Sequence, residues 1–450
     1  MGSERDALLA AFSAEGHELW TVGGALRDEL LGRPGVDEDF ATHALPDETE
    51  RIAQGIGRQV ATVGKRFGTI GVLIDRRWSE VTSFRGDSYA AGTRWPEISL
   101  GASIEEDLAR RDFTMNALAR DAATGETLDL FGGRADIQQR VIRAVGDPAT
   151  RFREDPLRIL RGLRFASQLD FTVDAASLEG MADTVELLAT LSQERIASEL
   201  EKLITGANPQ RALDLLLETG ALGVVLPELA PMAGCEQNHY HQFDVWGHTV
   251  ATVAAVEMGE RASVRRWVAL LHDLGKPAVR HRKQDGEWGF YRHEAAGGDL
   301  AARLLVRLRI GRHEANEIET LIRRHMERPD VDKRASVRRF IAKSPTLWPD
   351  LIALKRADNA SHTYDDTAYH DALEAACNLI ASEDAEMLRA ESPLSGDDLI
   401  ALFGRPAGPW IKPIKDRLSE MVFEGDLTPG DRVAAERIAR ELADGVTDLR

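Results

Sequence analysis

Between residues 22 and 42 the chain reads VGGALRDELLGRPGVDEDFAT, which crowds three kinds of chemistry-bearing residue together. Gly23 and Gly24 let backbone come close to a phosphate, and a helix opening at Gly24 and stopping at Gly32 offers unpaired N–H groups to the same anion. Asp37 and Asp39 alternate in VDEDFAT, a stretch with strand character, so both point to one face. Carboxylates side by side repel unless a cation lies between them, and hard oxygen donors suit Mg2+. Glu80, in the β-rich run SEVTSF, is a candidate third carboxylate that would complete a two-metal site for in-line phosphoryl displacement. The bland readings are a solvated turn for the D-x-D pair and an edge-strand charge for Glu80.

A second group lies farther along. His248, His272-Asp273, His293, His325 and Asp358 are spread over DVWGHTVATV, WVALLHDLGKP, FYRHEAAG, IRRHME and KRADNAS. A lone helical histidine is ordinarily a core or surface residue. An adjacent His-Asp pair among further imidazoles and carboxylates is instead a donor set for a divalent transition metal.

The elements that must position these residues fall into blocks. A chain of 450 residues exceeds what one core organises, so two to four domains are expected. Residues 1 to about 150 mix an amphipathic helix, ERDALLAAFSAE, with strands such as TIGVLID (69–75) and SEVTSF (79–84), an α+β pattern. From about 151 to 360 nearly every segment has helical periodicity, broken at Pro209, Pro227 and Pro329. The final stretch, LSGDDLIALFGRPAGPWIKPIKDRLSEM, reads as two helices around a Gly-Pro turn, followed by an acidic helical end. No solenoid-period repeat or low-complexity tract occurs.

A formal charge of −18 argues against coating nucleic acid, which needs many cations. A local basic groove is still available from Arg151, Arg153, Arg158, Arg161 and Arg164, with Arg110 and Arg111. The two cysteines, Cys235 and Cys377, are too far apart in sequence for a C-x-x-C motif and supply no disulfide framework. With no bilayer-length apolar run and no signal-like start, a soluble cytoplasmic protein with no membrane partner is expected.

In order, GGALRD with VDEDFAT, KRFGTI, EVTSFR, RRDFTMNA, DLFGG and RFREDPLRILRGLRFA closely resemble the signature of bacterial class II tRNA nucleotidyltransferases, the CCA-adding enzyme and poly(A) polymerase family, over about residues 20–230. The resemblance implies an α+β fold: a polymerase β-like head with a small mixed sheet (1–150), a helical neck (151–235), an HD domain (236–365) and a helical tail (366–450). It implies catalytic Mg2+ on Asp37 and Asp39, and a triphosphate against Gly23 and Gly24, with Arg27 and Asp28 in the same motif. Arg110, Arg111, Asp112 and Asn116 would contact ribose and phosphates.

Glu154-Asp155-x-x-Arg158, read as i,i+4 neighbours on one helix, is by itself a surface ion pair. The family pattern makes Asp155 and Arg158 the amino-acid template that reads incoming CTP or ATP, with Glu154 orienting Arg158, Arg161 in the same nucleotide-binding stretch, and Glu194-Arg195 bracing it. The histidine series resembles HD-domain metal-dependent phosphohydrolases over about 236–365. That likeness implies His248, His272, Asp273 and Asp358 as core ligands of Mn2+, Ni2+ or Co2+, with His293 and His325 for a second metal or a phosphate.

The activity so implied is template-independent addition of CCA to tRNA 3′ ends, with an HD phosphodiesterase or phosphatase beside it. CC-only relatives lack part of the loop that this chain keeps as RGDSYAAGTRWPEISLGASIEEDLA, which favours addition of the terminal A. The alternatives are a poly(A) polymerase, and an HD phosphohydrolase whose head only binds RNA. The intact Asp37, Asp39, Arg111, Asp112 and Asp155 speak against the latter.

Overall fold

The computed structural model describes residues 3–33, 38–88, 97–383 and 392–445, and the chain divides into two compact units, Met1–Ala230 and Pro231–Arg450. Asp37 lies outside the described residues.

The first unit begins with α1 (Glu4–Ala14), whose N-terminus is closed by a reciprocal cap between Ser3 and Asp6. There follow β1 (Trp20–Val22), α2 (Gly24–Leu30), β2 (Phe40–Thr42), α3 (Pro46–Gly55), β3 (Val60–Ala61), β4 (Thr69–Ile74) and β5 (Arg77–Ser83). With β6 (Arg85–Ser88), β7 (Glu97–Leu100), α4 (Ile104–Ala109), β8 (Ala119–Asp121) and β9 (Thr127–Leu128) these make the head. Its seven-stranded sheet has the order β3-β4-β5-β2-β1-β8-β9, mixed because β2 and β5 pair parallel while the other neighbours are antiparallel. Alternation along the strands serves two cores. Phe40, Ile70, Val72 and Val81 pack with Leu8 and Phe12 of α1, whereas Val22, Ala41 and Phe84 pack with Ile104 and Leu108 of α4.

The helical remainder of this unit includes α5 (Gly133–Gln139), α6 (Pro148–Glu154), α7 (Leu157–Leu169), α8 (Ala175–Thr184) and α9 (Gln193–Ile204). α7 and α9 are joined through a buried ion pair, Arg164 to Glu199 at 2.8 Å. Removing one partner of such a pair strands a buried charge at a cost of about 3–5 kcal/mol.

Among its described residues the second unit is helical apart from one short hairpin, its loops and an isolated bridge. Five helices approach one point: Val245–Ala255, Ala262–Leu271, His293–Arg307, Arg312–Arg324 and Trp348–Asn359. Gly275 makes the approach possible, because a Cβ there would stand 2.2 Å from the His293 carbonyl oxygen. The three last helices, Gly396–Phe403, Ile411–Glu424 and Arg432–Gly445, share a small core around Leu399, Trp410, Leu418 and Ala439. Among the described residues no helix is long and apolar enough to cross a membrane.

Candidate functional site

In the head, two motifs ninety residues apart in sequence meet across a few ångströms. Gly23 caps α2 with φ 71 and ψ −134, a conformation that only glycine holds cheaply. A Cβ on Gly23 would also sit 3.0 Å from Nη1 of Arg111. Arg111 donates through Nη1 to the Asn116 carbonyl (3.0 Å) and through Nη2 to Asp107 (3.1 Å). Arg27 donates to Asn116 Oδ1 at 2.9 Å and to Asp28 at 2.9 and 3.0 Å. GGALRD and RRDFTMNA therefore form one surface.

The expected strand VDEDFAT is shorter than its pattern suggested and begins only at Phe40. The parallel register Phe40↔Val81 sets Asp39 beside Glu80, and the Glu80 N–H donates to Asp39 Oδ1 at 3.3 Å. The intervening Glu38 is consumed structurally by Arg5 (2.8 and 2.9 Å) and the Thr21 hydroxyl (2.7 Å). The Glu80 side chain is exposed on β5.

Around these acids the arginines are held by buried carboxylates. Asp107 takes Arg110 at 2.9 Å and Arg111 at 3.1 Å, and Asp112 takes Arg161 Nε at 2.8 Å, Asn116 Nδ2 at 3.1 Å and the Phe113 N–H at 2.8 Å. Burial works to raise both acids, yet the guanidiniums outweigh it and hold each below the usual carboxylate range. Arg85, from EVTSFR, reaches Thr69 of KRFGTI at 2.9 Å, and burial together with neighbouring Arg110 pulls it below its ordinary value. Such a desolvated cation is suited to a polyanionic ligand. Asp107, Arg85 and Glu199 were not among the residues singled out from sequence. The D-x-x-R-R spacing of Asp107 with Arg110 and Arg111, at i, i+3 and i+4, was the available signal.

Glu154 and Arg158 are not on one helix. Pro156 ends helical geometry, so α6 stops at Glu154, Asp155 is extended (φ −142, ψ 99), and α7 starts at Leu157. The pair still closes across the break, Arg158 Nη1 to Glu154 at 2.9 Å. Arg158 also donates to the carbonyls of Arg151 (2.9 Å) and Arg110 (2.7 Å). Arg195 lies 3.4 Å from Asp155.

In the second unit the histidine series is brought together. His248 Nε2 lies 2.9 Å from Asp358, 3.4 Å from Asp273 and 3.3 Å from His272 Nε2. On the other side of Asp273, His293 Nε2 is 3.4 Å from its Oδ1 and 3.1 Å from His325 Nε2. Asp273 thus belongs to two donor groups, one with His248 and His272, one with His293 and His325. The Nδ1 atoms are occupied elsewhere: His272 on the Ala269 carbonyl (2.8 Å), His293 on Phe290 (2.8 Å), His325 on Ile322 (2.6 Å) and His248 on the Ser361 hydroxyl (2.5 Å). The three carbonyls fix the Nδ1–H tautomer of His272, His293 and His325, and all four Nε2 atoms, that of His248 included, turn inward, as metal-ligating histidines require.

The group calls for positive charge. Burial raises Asp273 and Asp358, but the facing histidines outweigh it and hold both well below the carboxylate range. Burial lowers His272, yet the two aspartates push it up to about 10, while burial beside His272 and His293 takes His325 down to about 3. Lys276, which follows the His-Asp pair, supplies a cation 2.6 Å from Asp273. A cavity of about 460 Å³ opens on the group, lined also by Tyr240, Lys283, Arg328 and Lys355.

Family models match three stretches: "Poly A polymerase head domain" over 19–143, "Probable RNA and SrmB- binding site of polymerase A" over 170–232, and "HD domain" over 245–361. This succession defines a nucleotidyltransferase with an appended HD domain; domains of both kinds generally use divalent metals, and the His/Asp groups described above could hold one. The CCA-adding enzyme of Geobacillus stearothermophilus is 33% identical over 93% of this chain and 92% of its own, and that of Bacillus subtilis strain 168 is 46% identical over 45% of this chain and 50% of its own. A crystal structure of the Bacillus stearothermophilus CCA-adding enzyme in complex with CTP superimposes with a TM-score of 0.73 at 27% identity, covering 99% of this chain and 100% of that one. The chain belongs to the CCA-adding enzyme family, the tRNA nucleotidyltransferases.

Proposed function

We propose that this chain builds CCA on tRNA 3′ ends from CTP and ATP, with residues 1–150 as head, 151–235 as neck, 236–365 as HD domain and 366–450 as tail. The observation that carries the reading is the meeting of Gly23, Arg27, Arg111 and Asn116 on one surface of the head, in the unit where β2 and β5 set Asp39 beside Glu80. Asp37, Asp39 and Glu80 are the carboxylates that would hold Mg2+, which when bound lowers the pKa of the 3′ hydroxyl and neutralises the leaving pyrophosphate. Gly23 leaves room for the triphosphate, and Arg27, Arg110, Arg111 and Asn116 orient phosphates and ribose, with Asp112 and Arg161 fixing Asn116.

Asp155 and Arg158 face the base. A guanidinium has five N–H donors, and among the described residues three of Arg158's are spent on Glu154, Arg151 and Arg110. Two remain for a base edge, where a good bidentate contact discriminates by about 1–3 kcal/mol. The work on tRNA fits a cytoplasmic location.

The four inward Nε2 atoms favour a second activity of the same chain. His248, His272, Asp273 and Asp358 would hold one Mn2+, Ni2+ or Co2+ and His293 with His325 another, for hydrolysis of phosphate ends of RNA. The test of the main reading offers the protein a tRNA lacking its CCA with CTP alone, ATP alone, or both. Addition of two C with CTP and completion only with both is expected. Long A tracts from ATP alone would instead mean a poly(A) polymerase.

A further inference from the structure

Two histidines that no motif picked out stand beside the HD group. His241 precedes the stretch matched as the HD domain by four residues and His362 follows it by one. Their backbones form an isolated antiparallel bridge, reinforced by the Thr363 N–H donating to the Tyr240 carbonyl (3.0 Å) and Gln242 Nε2 to the His362 carbonyl (3.2 Å). This fastening sets the two rings 4.7 Å apart, edge to face.

The rings are held in place. His362 is stacked between His248 (5.4 Å, 6°) and Tyr364 (5.1 Å, 16°). His241, His248 and His362 each offer a ring nitrogen within 4.8 Å of the other two. Nδ1 of His241 and Nδ1 of His362 are buried with no hydrogen-bond partner among the described residues, and the His362 side chain is only 10% exposed. Leaving such buried atoms unpaired is unfavourable, and a ligand would remove that penalty.

Asp358 links His362 to the HD group. Its Oδ1 is 2.9 Å from His248 Nε2 and 3.6 Å from His362 Nε2, so it stands between two donor sets as Asp273 does on the other side.

From this juxtaposition we propose a third divalent-cation position in the HD unit, formed by His241 and His362 with Asp358 as the shared carboxylate. The row then runs His293–His325, Asp273, His248–His272, Asp358, His241–His362. Two imidazoles and a carboxylate suit a borderline transition metal rather than Mg2+ or Ca2+. His241, Asp358 and His362 all line the cavity of about 460 Å³, so the open coordination positions of the cation accept a phosphate oxygen entering there. The proposal rests on the reading of the neighbouring histidines as a metal centre.

The test is a metal count on the full chain in a background carrying Asp37→Ala, Asp39→Ala and Glu80→Ala, which removes the head's acids from the tally. Chelator-stripped protein is dialysed against Co2+ and bound metal is measured beside visible absorption. Three equivalents are expected for the parent, and two for His241→Gln combined with His362→Gln. His241→Gln alone, which keeps the stacked His362, should lower the affinity of one equivalent only. Unchanged thermal unfolding of the stripped proteins shows that the fold is kept. A parent binding two equivalents, a double variant retaining three, or a double variant losing all of them overturns the third position. A parent binding none refutes the metal-centre reading itself.

Discussion

Replacing Gly23 by Ala tests the head geometry with a single methyl group. At φ 71 and ψ −134 an alanine is strained, by about 1–3 kcal/mol for a residue forced into a glycine-only region. The new Cβ also meets Arg111 Nη1 at 3.0 Å, and Arg111 can yield only by loosening its bonds to the Asn116 carbonyl and Asp107. Losing one charge-assisted hydrogen bond is worth about 1.5–3 kcal/mol. Gly24→Ala is the internal control: it has ordinary helical φ, its Cβ comes no closer than 3.4 Å, an ordinary van der Waals distance, to the Arg27 guanidinium, and alanine gains up to about 1 kcal/mol of helix propensity. Denaturant unfolding and steady-state CTP incorporation into a tRNA lacking CCA should therefore separate the two. Gly23→Ala is expected to lose about 1–3 kcal/mol of stability and at least about tenfold in kcat/KM for CTP, the latter corresponding to 1.4 kcal/mol. Gly24→Ala should stay within about 1 kcal/mol of the parent. Equal stability and equal kcat/KM for Gly23→Ala and parent would refute the requirement for glycine there.

Asp39→Ala should abolish nucleotide addition while tRNA binding and unfolding midpoint hold, because the side chain serves a cation rather than the core; addition above about 1% of the parent, a loss of under roughly 2.7 kcal/mol, contradicts this. Arg158→Ala should erode selectivity for CTP and ATP over UTP and GTP more than it weakens triphosphate binding, and unchanged selectivity in a four-nucleotide competition would remove Arg158 from base reading. Asp112 has a folded pKa below its unfolded one, so it stabilises above about pH 4 and that stabilisation fades as pH falls through the lower folded value. Asp112→Asn should flatten the loss of stability as pH falls below about 4, measured by thermal unfolding, and an unaltered slope would disprove the linkage. His272→Ala with Asp273→Ala should strip bound transition metal and any hydrolysis of 2′,3′-cyclic phosphate ends yet leave CCA addition within a few-fold; metal analysis beside both assays checks each half.

What could be read from the chain depended on whether local pattern or long-range pairing decided the outcome. The helix expected from Gly24 to Gly32 is found as Gly24–Leu30, the strands expected at 69–75 and 79–84 are found as Thr69–Ile74 and Arg77–Ser83, and the described residues from 151 to 360 are mostly helical, as periodicity and glycine placement suggested. The break at Pro156 was misjudged because i,i+4 spacing carried more weight than the proline that interrupts it, and β2 proved shorter than its alternation suggested, the described residues Glu38 and Asp39 lying outside the strand. Glu38 shows the limit most clearly: its sequence neighbours are acids like itself, and only tertiary contact with Arg5 and Thr21 marks it as structural. Asp107, His241 and His362 escaped for a related reason, since a single acid or histidine has no pattern until its partners arrive from elsewhere in the chain.

The parallel pairing of β2 with β5 also carries a consequence for how the protein matures. Asp39 and Glu80, 41 positions apart, are neighbours only through that pairing, and a parallel pair cannot form by a tight hairpin but waits for the crossover that joins its strands. The connection here contains α3, β3 and β4, so on an emerging polypeptide the acidic pair is assembled only after this whole segment has been made and docked. A half-synthesised head presents the acids of VDEDF without Glu80 beside them, and so without the full cluster of charge that concentrates a divalent ion.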